Sequence, residues 1–264
     1  MFKRLTKLAA AVVVAGAALG GTAIAADLQD ILSSGKVRIG VPIDVPPFGF
    51  MDENNEPSGL DVDVANMIGE ALGVEVELQQ ITGANRIPYL VTDRLDLVIS
   101  AMGATPERAQ QIAFSSPYSA LAIGVFGPDS IAVSSPEDLG SETIAVARGT
   151  TQDLELTAAA PDANIQRFDD DATAVQALLS GQVPLIGASN VVIAQINQAA
   201  PDRFDAKFTL RQQSQGIAVR KGSDELLTYV NEFLNRVKEG GELNAIHEEW
   251  LQSPLPDFLA ETQQ

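Results

Sequence analysis

Apolar positions along this chain recur in two alternating patterns, one typical of strands and one typical of helices. Short runs that predict strands occupy residues 37–41, 74–78, 96–99, 123–126, 144–147, 165–168, 185–186 and 217–219, and the run at 96–99 predicts a buried one. Between them, apolar residues recur at helical spacing, most clearly over residues 59–73, where Gly73 closes the predicted helix. This alternation predicts an α/β fold with mostly parallel sheets flanked by helices.

The first 25 residues have the composition of an export signal rather than of a folded segment. Three cations at residues 3, 4 and 7 precede an apolar stretch over residues 8–19, and Ala23-Ile24-Ala25 matches a cleavage pattern. The apolar stretch is shorter than a typical membrane span, although an N-terminal anchor is the alternative. We therefore predict a signal peptide over residues 1–25, cleaved during export to the periplasm.

Composition narrows the function further. The 264 residues include 35 Asp and Glu against 17 Lys and Arg, a formal net charge of −18, so no nucleic-acid partner is expected. The chain has no Cys and one His, which excludes disulfides and thiolate metal sites and argues against a His-based triad. No cofactor or metal is expected, and we interpret His247 as a surface or interlobe residue.

Two loops that follow predicted strands carry residues suited to binding a carboxylate. In residues 100–108, small residues precede a helix start, and Arg108 can form paired hydrogen bonds with a carboxylate or, alternatively, lie exposed beside Glu107. In Gly149-Thr150-Thr151, backbone N–H groups and hydroxyls can hold an anion, or Thr150 can simply cap the helix. Because open α/β sheets bind ligands at strand carboxyl ends, the two loops together predict one carboxylate clamped in a cleft.

Three other polar positions have open interpretations. Arg86 can reach the same cleft or lie on the surface, and its spacing does not decide between them. Asp44 follows the first predicted strand, where it can bind a ligand or only cap a Pro-rich loop. Asp61 and Asp63 stand at a helix start, where acids suit the helix dipole, so we predict a structural role for them.

These segments, taken in order, resemble a known family. Residues 59–65 match its signature of Gly and two Asp separated by hydrophobic positions, Thr105-x-x-Arg108 and residues 114–118 match its next block, and Gly149-Thr150-Thr151 matches its second-lobe motif. Over its whole mature length the chain is similar to the periplasmic solute-binding proteins of polar amino-acid ABC importers, bacterial extracellular solute-binding protein family 3. The resemblance implies a type II fold in which two α/β lobes, joined by two hinge crossovers, close over one ligand.

The resemblance also implies domain boundaries. Lobe 1 would comprise residues 27–119 plus 214–264, and lobe 2 would comprise residues 120–213. Hinges are predicted near residues 119–120 and 213–215, because the strand and helix pattern restarts after Tyr118 and returns at Gly216.

The family's binding roles map onto this chain residue by residue. Arg108 matches the arginine that grips the ligand α-carboxylate, and Thr151 matches a second-lobe donor to the same group. Ala101 matches a position whose backbone carbonyl accepts from the α-ammonium. Gly103 stands where the family often has Ser or Thr, so only its backbone N–H is left to bind. Arg86 resembles a position that binds side-chain carboxylates in receptors for acidic amino acids.

This sequence departs from the family at the ammonium-binding aspartate. Ser189 or Asn190 occupies that position, and Val45 replaces a stacking aromatic residue. An ammonium group is costly to bury without a carboxylate partner. We therefore predict a ligand with more negative than positive charge, unless Asp44 or the Ala101 carbonyl accepts an ordinary ammonium.

The predicted function is that of an exported receptor, not an enzyme. A monomer would capture an amino acid or amino-acid-like carboxylate and deliver it to an ABC permease in the inner membrane. One alternative is a periplasmic dehydratase of the same fold acting on cyclohexadienyl amino acids or arogenate, which would need a carboxylic acid in the cleft. The other is a ligand-sensing module that docks to a membrane receptor.

Overall fold

A computed structural model describes residues 28–199, 201 and 203–260 of the chain. The predicted signal peptide lies outside these residues. Within them, no helix is both long and apolar enough to cross a bilayer.

Strands and helices alternate through most of the described chain, as the apolar pattern predicts. The strands are β1 (Lys36–Val41), β2 (Asp44–Val45), β3 (Gly49–Met51), β4 (Pro57–Ser58), β5 (Glu75–Gln80), β6 (Leu97–Val98), β7 (Ile112–Gly127), β8 (Thr143–Ala147), β9 (Asn164–Phe168), β10 (Leu185–Ser189) and β11 (Asp205–Arg220). The helices are α1 (Leu28–Ser34), α2 (Leu60–Leu72), α3 (Arg86–Val91), α4 (Pro106–Ala109), α5 (Thr151–Ala159), α6 (Asp171–Leu179), α7 (Asn190–Ala199), α8 (Asp224–Gly240), α9 (Glu242–Leu251) and α10 (Asp257–Ala260), with a 3₁₀ turn at Pro136–Leu139.

One sheet runs through both halves of the molecule in the order β5-β1-β6-β11-β7-β10-β8-β9. On one side β1 pairs in parallel with β5 and β6, and on the other β8 pairs in parallel with β9 and β10. We call the side with β5, β1 and β6 lobe 1 and the side with β10, β8 and β9 lobe 2. A small sheet of β2, β3 and β4 adjoins lobe 1. The prediction of a two-lobed α/β fold with mostly parallel pairing in each lobe is confirmed.

Helix α2 shows how the sequence pattern fixes an element in lobe 1. Its buried positions include Leu60, Val64 and Ile68, which lie on one face because they are three or four residues apart. The helix ends where Gly73 adopts a left-handed conformation with φ 69°, and the Gly73 N–H donates to the carbonyl oxygen of Glu70. Glycine adopts this conformation without a steric penalty, so the predicted end of the helix is confirmed.

The crossovers between the lobes are longer strands than the sequence pattern predicts. β7 and β11 have 16 residues each and pair antiparallel, from Ile112 opposite Arg220 to Gly127 opposite Asp205. The short strands predicted at 123–126 and 217–219 are therefore wrong in extent. Ser115, Ser116 and Pro117 do not favour a strand on their own, and pairing with a neighbouring strand overrides that local preference.

His247 is placed differently from its prediction as a surface or interlobe residue. It lies on α9, is 1% exposed, and its Nε2 is 3.2 Å from the carbonyl oxygen of Tyr118 in β7. Burial lowers the pKa of His247, which favours the neutral ring. The inward face of a helix that packs on the sheet accommodates a neutral imidazole, so this histidine belongs to the interior of lobe 1.

Candidate ligand-binding site

A narrow cavity of about 50 Å³ lies between the lobes, at the carboxyl ends of the parallel strands. Its wall from lobe 1 includes the loop after β1, the start of α3 and the loop after β6, and its wall from lobe 2 includes the starts of α5 and α6. The polar residues that line it are Asp44, Thr82, Arg86, Ser100, Thr150, Thr151, Gln152, Asp171, Ser189 and Gln213.

Arg86 is the arginine that lines this cavity. It is the first residue of α3 and is 5% exposed. Its Nη1 donates to the Ser100 carbonyl oxygen at 3.1 Å and its Nη2 to the Gly149 carbonyl oxygen of lobe 2 at 3.4 Å, while its buried Nε has no partner. Burial lowers the pKa of Arg86 to about 10. An unpaired buried donor of this kind has strong affinity for an anion.

Arg108 lies beside the cavity and is not among its lining residues. Its guanidinium donates to the Gly103 carbonyl oxygen at 2.8 Å, to Thr151 Oγ1 at 3.0 Å and to the Gly149 carbonyl oxygen at 3.1 Å. Thr105 caps the short helix that carries it. Burial, and then the nearby charge of Arg86, lower the pKa of Arg108 to about 9. Arg108 therefore fastens lobe 1 to lobe 2 in this closed arrangement.

The start of α5 supplies the second lobe's share of the anion-binding end. Thr150 caps the helix: its Oγ1 accepts from the Asp153 N–H and donates to the Ala147 carbonyl oxygen. Thr150, Thr151 and Gln152 all line the cavity. Gly103 lies beside Gln213 and this helix start, where an added Cβ would clash with Gln213 Oε1 and be 3.2 Å from Thr151 Oγ1. The absence of a side chain at Gly103 leaves room for the Gln213 side chain and for the helix start.

Ala101 lines the cavity in a left-handed conformation, with φ 43°, and Asp61 holds it there. The Ala101 N–H donates to Asp61 Oδ2 at 2.8 Å, and the Tyr118 hydroxyl donates to Asp61 Oδ1 at 2.7 Å. Burial raises the pKa of Asp61 to about 7, against the effect of these hydrogen bonds. Asp61 thus has the structural role predicted for it, and through Ala101 it also holds a residue that lines the cavity.

Ser189 and Asn190, the two candidates for the missing aspartate, separate in the structure. Ser189 lines the cavity, and its Oγ accepts from the Val192 N–H at 3.2 Å to cap α7. Asn190 does not line it; its Oδ1 accepts from the Ala122 N–H of β7 at 3.0 Å. No carboxylate therefore enters the cavity from this position.

A carboxylate does enter the cavity from the start of α6. Asp171 lines the cavity opposite Asp44, and the Asp171 N–H donates to Asp44 Oδ2 at 2.9 Å across the lobes. Burial raises the pKa of Asp44, and burial together with the Asp44 charge raises the pKa of Asp171 to about 7. The sequence pattern does not single out Asp171, because three consecutive aspartates before a helix indicate capping, a role that Asp170 fills.

These positions change the expected charge of the site. The charged side chains that line the cavity are Asp44, Asp171 and Arg86. The prediction of an anionic ligand depended on the lack of an acid at positions 189 and 190 and left Asp44 as an exception, and the structure places both Asp44 and Asp171 on the cavity wall.

The chain belongs to the bacterial extracellular solute-binding proteins, family 3, whose model matches residues 37–253. It is 26% identical over 244 residues to the L-cystine-binding protein TcyJ of Escherichia coli (strain K12), covering 91% of this chain and 92% of that protein. It is 28% identical over 231 residues to the ABC transporter glutamine-binding protein GlnH of Bacillus subtilis (strain 168), covering 85% of this chain and 84% of that protein. The resemblance predicted from the motifs is confirmed.

Solved structures place the fold in the same group. A mutant of ArgBP from T. maritima superposes with a TM-score of 0.81 at 32% identity, covering 86% of this chain and 99% of that one. The solute receptor for L-cysteine of Neisseria gonorrhoeae gives a TM-score of 0.81 at 31% identity, covering 86% of this chain and 94% of that one. The ancestral amino acid-binding protein AncCDT-1, a precursor of cyclohexadienyl dehydratase, gives a TM-score of 0.76 at 32% identity, covering 84% and 98%.

Proposed function

We propose that this chain is the exported receptor of an ABC importer, a periplasmic monomer that captures an amino acid between its lobes and delivers it to an inner-membrane permease. The observation that carries the proposal is the cavity itself, which has both a cation and carboxylates on its walls and is closed by hydrogen bonds between the lobes. The cystine, glutamine, arginine and cysteine receptors to which the chain is similar support an amino acid as the ligand.

The carboxylate of the ligand would bind at the end of the cavity formed by Arg86, Arg108 and the start of α5. Arg86 has a free Nε there, and Thr150 and Thr151 present a helix N-terminus that favours anions. Arg108 would exchange one of its bonds to protein oxygens for a bond to the ligand. The resulting charge-assisted bonds are stronger than those to neutral carbonyls.

A thermal-shift screen tests the proposal directly. The mature protein would be melted with each common amino acid, cystine, and small dicarboxylates. A ligand at about 100 times its Kd adds about 2.7 kcal/mol to the free energy of unfolding, which a melting scan resolves. A protein whose melting temperature responds to no amino acid would contradict the proposal.

We propose that ligand binding closes lobe 2, residues 120–213, onto lobe 1, residues 27–119 and 214–264. The hinges would lie near residues 119–120 and 213–215, where register shifts on either side of Gly216 interrupt the β7–β11 ladder. Small-angle scattering is expected to give a smaller radius of gyration with saturating ligand than without it. An unchanged radius, with saturation verified by calorimetry, would count against closure.

Gly149→Ala is expected to weaken ligand binding by disfavouring closure. Gly149 has φ 74°, and an added Cβ would be 2.9 Å from the Gly83 carbonyl oxygen of lobe 1. Gly73→Ala is a matched control, because Gly73 has φ 69° but nothing within 4 Å of an added Cβ. Both variants should lose about 1 kcal/mol of folding stability from the left-handed conformation. Calorimetry should show weaker binding for Gly149→Ala alone, and equal affinities would refute the proposed contact.

A dehydratase is the second candidate function, and one observation favours it. Asp171 is a cleft carboxyl whose pKa is raised to about 7, so it can be protonated near neutral pH, as a general acid must be. Incubating the protein with prephenate or arogenate tests this function. Product formation that is lost in Asp171→Asn would support an enzyme, and the absence of product leaves the receptor as the function.

A further inference from the structure

We infer that Asp44 and Asp171 together form a cation-binding subsite that spans the two lobes, and that the ligand places a positively charged group between them. The inference rests on the proposed function and assigns the ligand class: zwitterionic or cationic amino acids, and not simple dicarboxylates. It also gives the source of the carboxylate that position 189 lacks.

The geometry brings one carboxylate from each lobe to the same cavity. Asp44 is in the loop after β1, and Asp171 is the first residue of α6. The Asp171 N–H donates to Asp44 Oδ2 at 2.9 Å, so the two residues meet only when the lobes are together. The carboxylate of Asp171 makes no hydrogen bond or ion pair within the part of the chain that the structure describes. It is free to accept from a ligand.

The charges around this pair favour a cation. Asp44 and Asp170 both add negative charge near Asp171, and Arg86 is the cation that opposes them from the other wall. The Arg86 Nε is buried without a partner at the same cavity, so a ligand carboxylate bound there would neutralise Arg86. With Arg86 occupied in this way, Asp44 and Asp171 remain as two like charges on one cavity, and their repulsion disfavours closure.

A positively charged ligand group removes that repulsion at the moment the lobes close. An ammonium or guanidinium group can donate to both carboxylates, whereas Ser189 offers only a neutral oxygen. A ligand without a cation would leave the pair to take up protons instead. Asp44 and Asp171 also line an adjoining groove of about 450 Å³ against α6 and α7, where a longer side chain has room.

The test compares two neighbouring aspartates. Asp171→Asn removes a charge from the cavity and keeps the shape of the side chain. Asp170→Asn makes the same change one residue away, where the side chain caps α6 by accepting from Thr173 N, a role that Asn also fills. Calorimetry of wild type and both variants would use arginine, glutamine, histidine and cystine, with glutarate as a cation-free probe.

We expect at least one of the four amino acids to bind wild type and glutarate not to bind. Asp171→Asn should weaken binding of that amino acid by at least about tenfold, and Asp170→Asn, which removes a charge that does not line the cavity, should weaken it by much less. If Asp171 had only a structural role, its replacement would not change the number of protons released on binding. That number is measured by repeating the titration near neutral pH in two buffers of different ionisation enthalpy. Wild type should release protons on binding as the ligand cation displaces them from the pair, and Asp171→Asn should release fewer.

The outcomes separate the two proposals. If amino acids bind with equal affinity and equal proton release in wild type and Asp171→Asn, the cation subsite is wrong and the receptor function stands. Tight binding of glutarate would also overturn the subsite. If no amino acid binds, either in this titration or in the thermal-shift screen, the receptor function fails and the subsite fails with it.

Discussion

Arg108→Ala is expected to cost about 2–5 kcal/mol of ligand binding while the protein still folds, the range for removing one partner of a buried charge pair. Two effects add. The ligand carboxylate loses a cation, and the closed state loses the bonds from Arg108 to Thr151 and to Gly149 that cross between the lobes. Titration calorimetry with the amino acid found in the thermal-shift screen measures the loss.

Arg148→Ala is the matched control for this loss. Arg148 precedes Gly149 in lobe 2, but its side chain is exposed, so the variant changes the net charge equally without touching the cleft. Its affinity should stay near that of wild type. The melting temperature without ligand should be similar in both variants, because Arg108 is a buried cation whose desolvation offsets much of its bonding. Unchanged affinity in Arg108→Ala would rule out its role as an anchor.

Asp61→Ala is expected to lower the free energy of unfolding by about 1–3 kcal/mol, since it removes the acceptor of a buried hydroxyl. The Tyr118 hydroxyl loses its acceptor, and the Ala101 N–H keeps only its longer contact of 3.2 Å with the Tyr118 oxygen. Asp63→Ala is the control on the same helix turn, where the carboxylate accepts from the half-buried Trp250 indole. Urea denaturation should show a smaller loss for Asp63→Ala, and losses of equal size would contradict the account. Ligand affinity should also fall in Asp61→Ala, because Ala101 lines the cavity.

The pH dependence of stability gives a second test of Asp61. Its pKa is raised from 3.8 to about 7 in the folded protein, so between these values the folded state binds more protons than the unfolded state. The contribution of Asp61 to the free energy of unfolding therefore falls as pH rises toward neutrality. Urea denaturation at about pH 5 and about pH 8 should show a smaller fall in Asp61→Asn than in wild type. An identical pH dependence would show that Asp61 does not hold its proton.

The residue pattern predicts a helix or strand well where its ends are set by residues close in sequence. The limits of α2, the Thr105 cap and the Thr150 cap follow from residue types within one helical turn. The long strands β7 and β11 could not be predicted this way, because their partner lies about a hundred residues away in the chain and provides the hydrogen bonds that Ser115 and Pro117 do not favour locally.

The site was predictable only in part, for a related reason. The loops that hold Arg108 and Thr151 were identifiable as strand-to-helix connections, but which arginine lines the cavity depends on how two lobes meet. Asp171 has the same sequence signal as its neighbour Asp170, yet one helical position turns one carboxylate toward the cavity and the other toward the Thr173 N–H. That rotation is a property of the packed helix and not of residue type.

The pairing of β7 with β11 restricts how the lobes can move. Leu121 lies opposite Gln213 and Ala120 opposite Ser214, so the two crossovers are cross-strand neighbours where the hinges are proposed. Two independent connections would permit sliding, shearing and rotation about several axes, whereas a hydrogen-bonded two-stranded ribbon mainly bends and twists as one body. Opening of the cleft between the lobes is then close to a rotation about one axis. A membrane partner that contacts both lobes could distinguish a loaded from an empty receptor by one angle, with no need to sense the ligand itself.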